Sequence, residues 1–450
     1  MLFINLLSFA NAISSSDAFM FGSPVMQMYK LRARWILDSN GACINNLVPE
    51  LKPAVPSINL PLLDPDTLSA VAFVSVGNIR VLNIPPSTNE RYFLVTVFDM
   101  HSNLITSIDS TNITKGAKLT FVGPNVKNNG SPDFFNSATS EILISIKIYC
   151  HEYSDYENAK FFVSKFSITK PSNTWIRQKL SMAGVYQLAT IRVNLMKVGL
   201  QESDLDLKIT DCQNSNIEAA KCWKLMMLGL EEWPMINSDS HSTAIHSLVS
   251  SEISRLETIT TTQVQDAITK MQQTLSKYTL QINPGWYAQQ TTFNKLDYES
   301  ISANTLSPLF LSPPSNKLST FISRFNSSNY EFHGSLGYIL EIQEKDLPKD
   351  CAFWSVTVYF GESSTRANRL IKNELNSYSI NSRNYMKDGS DFKIAFMSVR
   401  PTLVDFDRFP LFNWLPVDPY ETFEVVFRVW SPLGGLEWTP NAIVVRALQD

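Results

Sequence analysis

Tyr92–Phe98 reads YFLVTVF, and with Ala70–Val76 (AVAFVSV) and Ile79–Ile84 (IRVLNI) it decides the fold of the first half of the chain. These runs are short, β-branched or aromatic, and broken by turn residues such as Pro85-Pro86-Ser87-Thr88-Asn89 and Val122–Asp133 (VGPNVKNNGSPD). That composition suits a pleated, half-buried surface and marks strands. Leu104–Ile108, Leu119–Val122, Glu141–Tyr149 and Lys160–Ile168 extend the pattern. Strands recurring every roughly 8–12 residues with turn signals between them predict an antiparallel sandwich.

The pattern returns near the other end. Tyr338–Ile342, Phe353–Phe360, Lys393–Val399, Glu424–Val429 and Ala442–Arg446 alternate or run continuously apolar, with turns at Lys387–Ser390 and Pro432–Gly435. The middle has another character. Ile217–Glu232 (IEAAKCWKLMMLGLEE) is built of strong helix formers and stopped by Pro234, and Ser247–Lys277 has helical spacing broken near Thr260–Thr262. Asn283-Pro284-Gly285 reads as the stop of that helix, and the proline-bearing Leu306–Lys317 reads as a connecting loop. At the start, Ala18–Ile36 carries an irregular helical stripe, with Asp17 as its expected N-cap and Gly22 and Pro24 interrupting it.

The expected fold is therefore mainly β with a helical middle. Its expected parts are a signal segment (1–12), an N-terminal helix (13–39), a β-sandwich (40–174), a helical middle with a connecting loop (175–329) and a second sandwich (330–450). At 450 residues the chain exceeds the size at which one core usually keeps growing, which agrees with several domains.

Composition bounds the partners. The net charge is −4 with both signs interspersed, and no Lys/Arg cluster offers a surface to nucleic acid. No apolar run reaches the length of a transmembrane helix. Leu2–Ala10 (LFINLLSFA) followed by Asn11-Ala12 has the small-x-small end of an export signal, so secreted, periplasmic or surface-associated placement is expected. The five cysteines (Cys43, Cys150, Cys212, Cys222, Cys351) follow no metal-ligand spacing, and Cys212 and Cys222 are near enough in sequence to bridge. Asn112, Asn129 and Asn326 head glycosylation triplets.

Two groups of residues carry candidate chemistry. Asp99 and His101 stand two apart at the end of the Tyr92–Phe98 strand, where they share a face, and Arg91 begins that strand. As an orienter, a base and a cation they are the catalytic candidates; the plainer reading is that Asp99 caps the following turn. Asn413, Trp414, Arg428 and Trp430 are the ligand-binding candidates, an aromatic platform with polar neighbours. Their plainer reading is packing, with Trp414 plugging the end of the last core. No metal-ligand set, phosphate loop, dinucleotide fingerprint or nucleophile elbow occurs, and neither a metal nor a cofactor is expected.

Six separated motifs then follow in order: Cys351–Phe360 (CAFWSVTVYF), Asn368-Arg369, Asp388-Gly389-Ser390, Phe412–Pro416, Phe423–Pro432 (FEVVFRVWSP) and Trp438-Thr439-Pro440. This run resembles the C-terminal member of a mainly bacterial family of paired domains of unknown function (DUF twelve-fourteen). Phe21–Pro24, Asp64–Ser69 with Arg80, and Arg91–Phe93 leading to Asp99 resemble its N-terminal companion (DUF twelve-fifty-four). The resemblance implies an Ig-like antiparallel β-sandwich first, a helical domain between, and a jelly-roll-like β-sandwich last. It implies no activity. The functional expectation is a non-catalytic, exported or surface-associated binding protein for a ligand or protein partner. The alternatives are a hydrolase or lyase acting on envelope, lipid or polysaccharide material, and a structural shell-type protein forming homo-oligomers.

Overall fold

The computed structural model describes residues 13–38, 44–49, 62, 64–87, 91–126, 130–150, 155–169, 182–234, 247, 249–252, 258–283, 285–289, 298–325, 330–361, 371, 379–385, 391–400, 413–432 and 444–447. The chain opens with helix α1 (Ser15–Asp38). Strands β1 (Val48–Pro49), β2 (Thr67–Ser75), β3 (Arg80–Ile84), β4 (Phe93–Asp99), β5 (Leu104–Asp109), β6 (Ala117–Val122), β7 (Phe134–Asn136) and β8 (Glu141–Tyr149) follow. Helix α2 (Tyr156–Val163) and strand β9 (Ser167–Thr169) lead to the middle helices α3 (Met182–Lys197), α4 (Asn216–Glu232) and α5 (Thr261–Tyr278). Then come β10 (Thr279–Asn283), β11 (Trp286–Gln289), helix α6 (Tyr298–Asn304), β12 (Leu318–Ser323), β13 (Tyr338–Gln343) and β14 (Phe353–Phe360). Strands β15 (Ser379–Asn381), β16 (Asp391–Met397), β17 (Trp414–Pro416), β18 (Phe423–Trp430) and β19 (Val444–Ala447) close the order.

Alternation places the first core. In the sheet β1-β2-β8-β4-β5, every second residue of β2 (Leu68, Ala70, Ala72, Val74), β4 (Phe93, Val95, Val97) and β8 (Ile142, Ile144, Ile146, Ile148) turns to one side. There they meet Leu82, Ile84, Leu119 and Phe121 of a second sheet, β7-β6-β3-β9. The opposite face of the first sheet is also covered, by two different partners. Phe73, Leu143 and Phe98, which lie opposite one another in register, pack into the helical layer. Tyr92, Leu94 and Tyr149, further along, pack against Leu318, Phe353 and Trp430 of the C-terminal half. A strand buried on both faces reads as the near-continuous apolar run YFLVTVF.

Helix α1 is the hub of the helical layer, and the helices α4, α5 and α6 all pack on it. Buried residues lie all round it, so no single stripe stands out in its sequence. Its first turn is capped by Ser14, whose Oγ accepts from the Asp17 backbone N–H at 3.1 Å, where Asp17 was the expected cap. Pro24 sits inside the helix; the Met20 carbonyl that its missing N–H leaves free accepts instead from Ser23 Oγ at 2.8 Å. Gly22 lets α4 approach, since a Cβ there would stand 1.9 Å from Met226 Sδ. The break read near Thr260 is the start of α5: Thr260 and Gln263 form a capping box. Cys212 and Cys222 form a disulfide, their Cα atoms 6.0 Å apart, that ties the turn Ile209–Gln213 to α4.

The C-terminal half has the sheets β10-β11-β12-β18-β14-β15 and β17-β16-β13-β19 around a second core that includes Trp354, Val356, Phe392, Phe396, Phe423 and Phe427. Three of its strands come from the stretch expected to be helix and loop. The turn at Gly285, with φ +88, joins β10 to β11 as a hairpin rather than stopping a helix. Lys160–Ile168, read as strand, is the end of helix α2 followed by β9; Phe162 on the helix's buried face meets Phe93 and Phe166, while Phe161 is exposed. Helix and strand make up about 34% and 33% of the chain, so the fold is mixed α/β with several antiparallel sheets rather than mainly β. No helix among the described residues is long and apolar enough to cross a membrane. The leader at 1–12, Cys43, Asn129, Asn326, the Asp388–Ser390 turn and Trp438 lie outside the described residues.

Candidate functional site

The catalytic candidates are engaged with three different partners. Asp99 Oδ1 accepts from the backbone N–H groups of His101 and Asn103, each at 2.9 Å, and Oδ2 accepts from Asn103 Nδ2 at 2.8 Å. These bonds hold the turn in which Ser102 takes φ +67, a conformation that costs a serine energy. Burial pushes the Asp99 carboxyl up to about 6, against the pull of those hydrogen bonds. Burial also holds the His101 imidazole down at about 4, so it is neutral at physiological pH. Its Nε2 donates to the Trp233 carbonyl at 2.9 Å, because a carbonyl can only accept. Arg91, at the other end of the strand and about 25 Å away at the usual rise, forms a two-pronged pair with Asp155 at 2.6 and 2.7 Å. Asp99 and His101 belong to the joint between the first sheet and the helices, and Arg91 does not reach them.

The platform candidates are divided between two sheets. Trp414 is buried in β17, and its Nε1 donates to the Met397 carbonyl at 3.0 Å. Asn413 beside it is buried too. Trp430, on β18 of the other sheet, is fully buried; it stacks on Phe353 at 5.3 Å between centroids and meets Tyr92 edge-on at 6.0 Å. Neither ring offers an open face to a sugar. Arg428 shares a strand face with Trp430 but has other partners, and it leads to a different site.

Side-chain period puts Glu424, Val426, Arg428 and Trp430 on the outer face of the six-stranded sheet, away from the core that takes Phe423, Val425, Phe427 and Val429. Register extends that face across the neighbouring strands. Arg428 lies opposite Thr320 of β12 and Ser355 of β14, and Ser355 lies opposite Asn381 of β15. One row along, Val426 lies opposite Ile322 and Thr357, and Thr357 lies opposite Ser379. The N-terminal half covers these rows with Leu62, Asp64 and Asp66 and with Tyr149. Asp66 Oδ1 accepts from Ser379 Oγ and, at 3.0 Å, from Asn381 Nδ2. Arg428 Nη2 donates to the Leu62 carbonyl at 2.8 Å, and its guanidinium lies over the Tyr359 ring at 5.4 Å. Asp64 accepts from the Asp66 backbone N–H and Thr67 Oγ1, which fixes the segment's bend.

The result is a buried polar seam between the two halves. Asp66, Ser355, Thr357 and Arg428 are 0–3% exposed. Asp66 Oδ2, Thr357 Oγ1 and Arg428 Nη1 keep no hydrogen-bond partner, and the Ser355 hydroxyl has only the Asp66 carboxyl within reach. Buried polar groups are almost always paired, and one left unpaired costs about 1–3 kcal/mol. The sequence signal for the seam was the polar member at alternate positions of FWSVTVYF and FEVVFRVW. A continuous-apolar reading of both strands passes over it.

Burial, reinforced by neighbouring Asp64, pushes the Asp66 carboxyl up to about 7 from the ordinary 3.8, against hydrogen bonding from Ser379, Asn381 and the nearby Ser355 hydroxyl. The folded chain therefore binds a proton here that the unfolded chain releases between about pH 4 and 7. That stabilisation is fully present below the lower value and is lost as pH rises through the upper one. Each unit of separation corresponds to about 1.4 kcal/mol. Urea unfolding at about pH 5 and 8 should show the natural chain losing about 2–3 kcal/mol more than Asp66→Asn, since about two pH units of that window lie below the folded value. Equal losses in both proteins contradict the assignment.

Among the described residues no group of three His, Cys, Asp or Glu side chains could hold a metal ion. The seam's chemistry is that of a buried hydrogen-bonding layer with the Arg428 guanidinium and the Asp66 carboxyl, the latter poised between its two forms.

These features define a protein of two sheet-built halves, joined by a helical layer and closed on a polar seam. Residues 53–170 match the model of a protein of unknown function (DUF1254) and residues 318–434 that of a protein of unknown function (DUF1214), and the chain carries these two domains in that order. Asp66 lies in the first and Arg428, Ser355 and Thr357 in the second. No curated protein matches the chain. Among solved structures, the VPA0106 protein from Vibrio parahaemolyticus is similar over 96% of this chain and 98% of its own, at 15% identity and a TM-score of 0.58. A putative uncharacterized protein from Burkholderia cenocepacia aligns over 98% of this chain and 91% of its own, at 8% identity and a TM-score of 0.43. The Vibrio structure supports the fold and says nothing of activity.

Proposed function

We propose that the chain is a non-catalytic, exported or surface-associated binding protein whose ligand lies in the seam between its halves. The observation that carries this reading is the set of unpaired polar atoms on Asp66, Thr357 and Arg428, with the Ser355 hydroxyl beside them, all on one buried layer. A guest with its own donors and acceptors removes their cost, and a purely structural layer has no reason to keep them. The Cys212–Cys222 disulfide supports export, since such bonds persist in oxidising compartments. We read the first half as an Ig-like sandwich and the second as a jelly-roll-like one, the latter beginning at the β10–β11 hairpin; in each, two sheets share one core.

A thermal-shift screen of sugars, polyols, amino acids and carboxylates against the natural chain and Ser355→Ala tests the binding site. Stabilisation of the natural chain that falls in the variant is expected; no shift, or equal shifts in both, contradicts it. For export, intact-mass measurement of the protein from its native source should give a chain starting near Ile13. An intact Met1 refutes export by this route.

A further inference from the structure

We infer that the seam binds a small monocarboxylate, with Arg428 as its charge partner and Ser355 and Thr357 as its hydroxyl donors, and that Asp66 holds a proton while the ligand is bound. This rests on the seam being the ligand site proposed above.

The first argument is the inventory of unpaired atoms. Arg428 Nη1 can only donate, the Thr357 hydroxyl has a proton to give, and the Ser355 hydroxyl, which serves the Asp66 carboxylate when that group is ionised, is released to a guest when it is protonated. Asp66 Oδ2 accepts when ionised and donates when protonated. Donors outnumber obligatory acceptors, so the complement is rich in acceptors. The second argument is size. Arg428 and Ser355 are directly opposite in register, and Thr357 is one row along. Opposed residues lie about 5 Å apart and successive rows about 7 Å, a patch that suits a carboxylate's pair of oxygens. Asp66 is anchored over the same two rows by Ser379 and Asn381, which keeps its carboxyl beside the same patch.

Charge decides between kinds of anion. Five groups face Asp66 or the seam around it. They are Asp64 on its own segment, Tyr149 on β8, Tyr359 on β14, Arg428 on β18, and Arg383 beyond β15, which lies over the Tyr149 ring at 5.2 Å. Glu424, further along β18, is paired with Arg324 at 3.0 Å. Two guanidiniums, Arg428 and the more exposed Arg383, therefore serve the layer. With Asp66 ionised, the two aspartates already balance them, and a further anion is left uncompensated. With Asp66 protonated, one positive charge remains over Asp64 for a guest monocarboxylate, and the carboxyl can donate to that guest. A second negative charge on the ligand would stay buried and uncompensated, which disfavours sulfate or phosphate. Burial and Asp64 place the Asp66 carboxyl near neutrality, so the proton is available under ordinary conditions.

Calorimetric titration of the full chain with acetate, its uncharged isostere acetamide, and sulfate at about pH 6 and 8 tests the inference. Acetate remains ionised at both values, so a change in its affinity reports the protein. Acetate should bind about tenfold more weakly at pH 8 than at pH 6, the response to one proton lost above neutrality. Asp66→Asn should bind it equally at both, and Arg428→Met should lose it. Circular dichroism of each variant guards against misfolding, and Ser355→Ala, weakened severalfold at both pH values, stands in for any variant that fails to fold. Acetate affinity independent of pH in the natural chain, or a preference for sulfate, overturns the inference. Acetamide binding in place of acetate overturns the carboxylate and leaves the seam a ligand site. Failure of all three probes overturns the inference, while the broader screen still judges the seam.

Discussion

Glu141→Ala should lower the stability of the chain by about 3–5 kcal/mol, the usual result of removing one member of a buried ion pair. Glu141 begins β8 and is 6% exposed; Arg32 of α1 is 7% exposed. Their contact has two prongs, Nε to Oε1 at 2.5 Å and Nη2 to Oε2 at 3.2 Å. Glu232 stands 3.7 Å from the same guanidinium and is too solvated to replace the lost partner. The Trp233 ring lies under Arg32 at 5.5 Å, and the Trp233 carbonyl takes the His101 hydrogen bond. The ion pair therefore clamps the helical layer to the first sheet. Replacing both members, as Arg32→Met with Glu141→Leu, should recover most of the loss, because the cost comes from the stranded charge. Urea unfolding of the single and double variants checks this, and a single variant within about 1 kcal/mol of the natural chain contradicts the clamp.

Trp414→Ala should cost about 3–5 kcal/mol as well, the range for truncating a buried aromatic. Trp414 is 3% exposed, lies opposite Ala395 in the parallel β16–β17 pairing, and spends its only polar atom on Met397. Leu415 and Val417 continue into the C-terminal core. Its loss opens a void at the sheet edge and strips the Met397 carbonyl of one of its two donors, the other being the Val417 N–H at 3.3 Å. A fall in melting temperature on the order of 10 °C is expected. An exposed platform would instead lose ligand retention with the melting point within about two degrees, and that outcome would overturn the packing role.

What the sequence made legible depended on how many faces of each element are buried. Strands such as β2 and β8 were plain, because Ala70–Val76 and Glu141–Tyr149 carry β-branched residues bounded by turns. The start of α5 left its mark at Thr260, though the capping box there reads as easily as a break. Helix α1 was found, yet its importance was hidden, because burial on every side erases the stripe that marks a helix's inner face. The first hairpin of the C-terminal sheet was missed: Thr279–Gln289 is short, and its burial depends on β12 and β18, distant in sequence. Asp99 and His101 were chosen as a pair sharing a strand face, but strand geometry alone cannot say that both are buried or that their partners are a turn and a carbonyl from another layer.

The seam was the least legible feature, although Arg428 was already in view. Its meaning comes from Ser355, Thr357 and Asn381 beside it across β14 and β15, and from Asp66 descending from the other half. Those contacts span about 300 positions of sequence, as the separation of 315 between Asp66 and Asn381 illustrates. A crystal structure at about 1.5 Å, grown in acetate near pH 6, examines the seam directly. The account predicts an ordered carboxylate bridging Asp66 Oδ2 and Arg428 Nη1, with the Ser355 and Thr357 hydroxyls turned toward it. A seam closed on itself, with those atoms bonded to one another or to isolated waters alone, would contradict it.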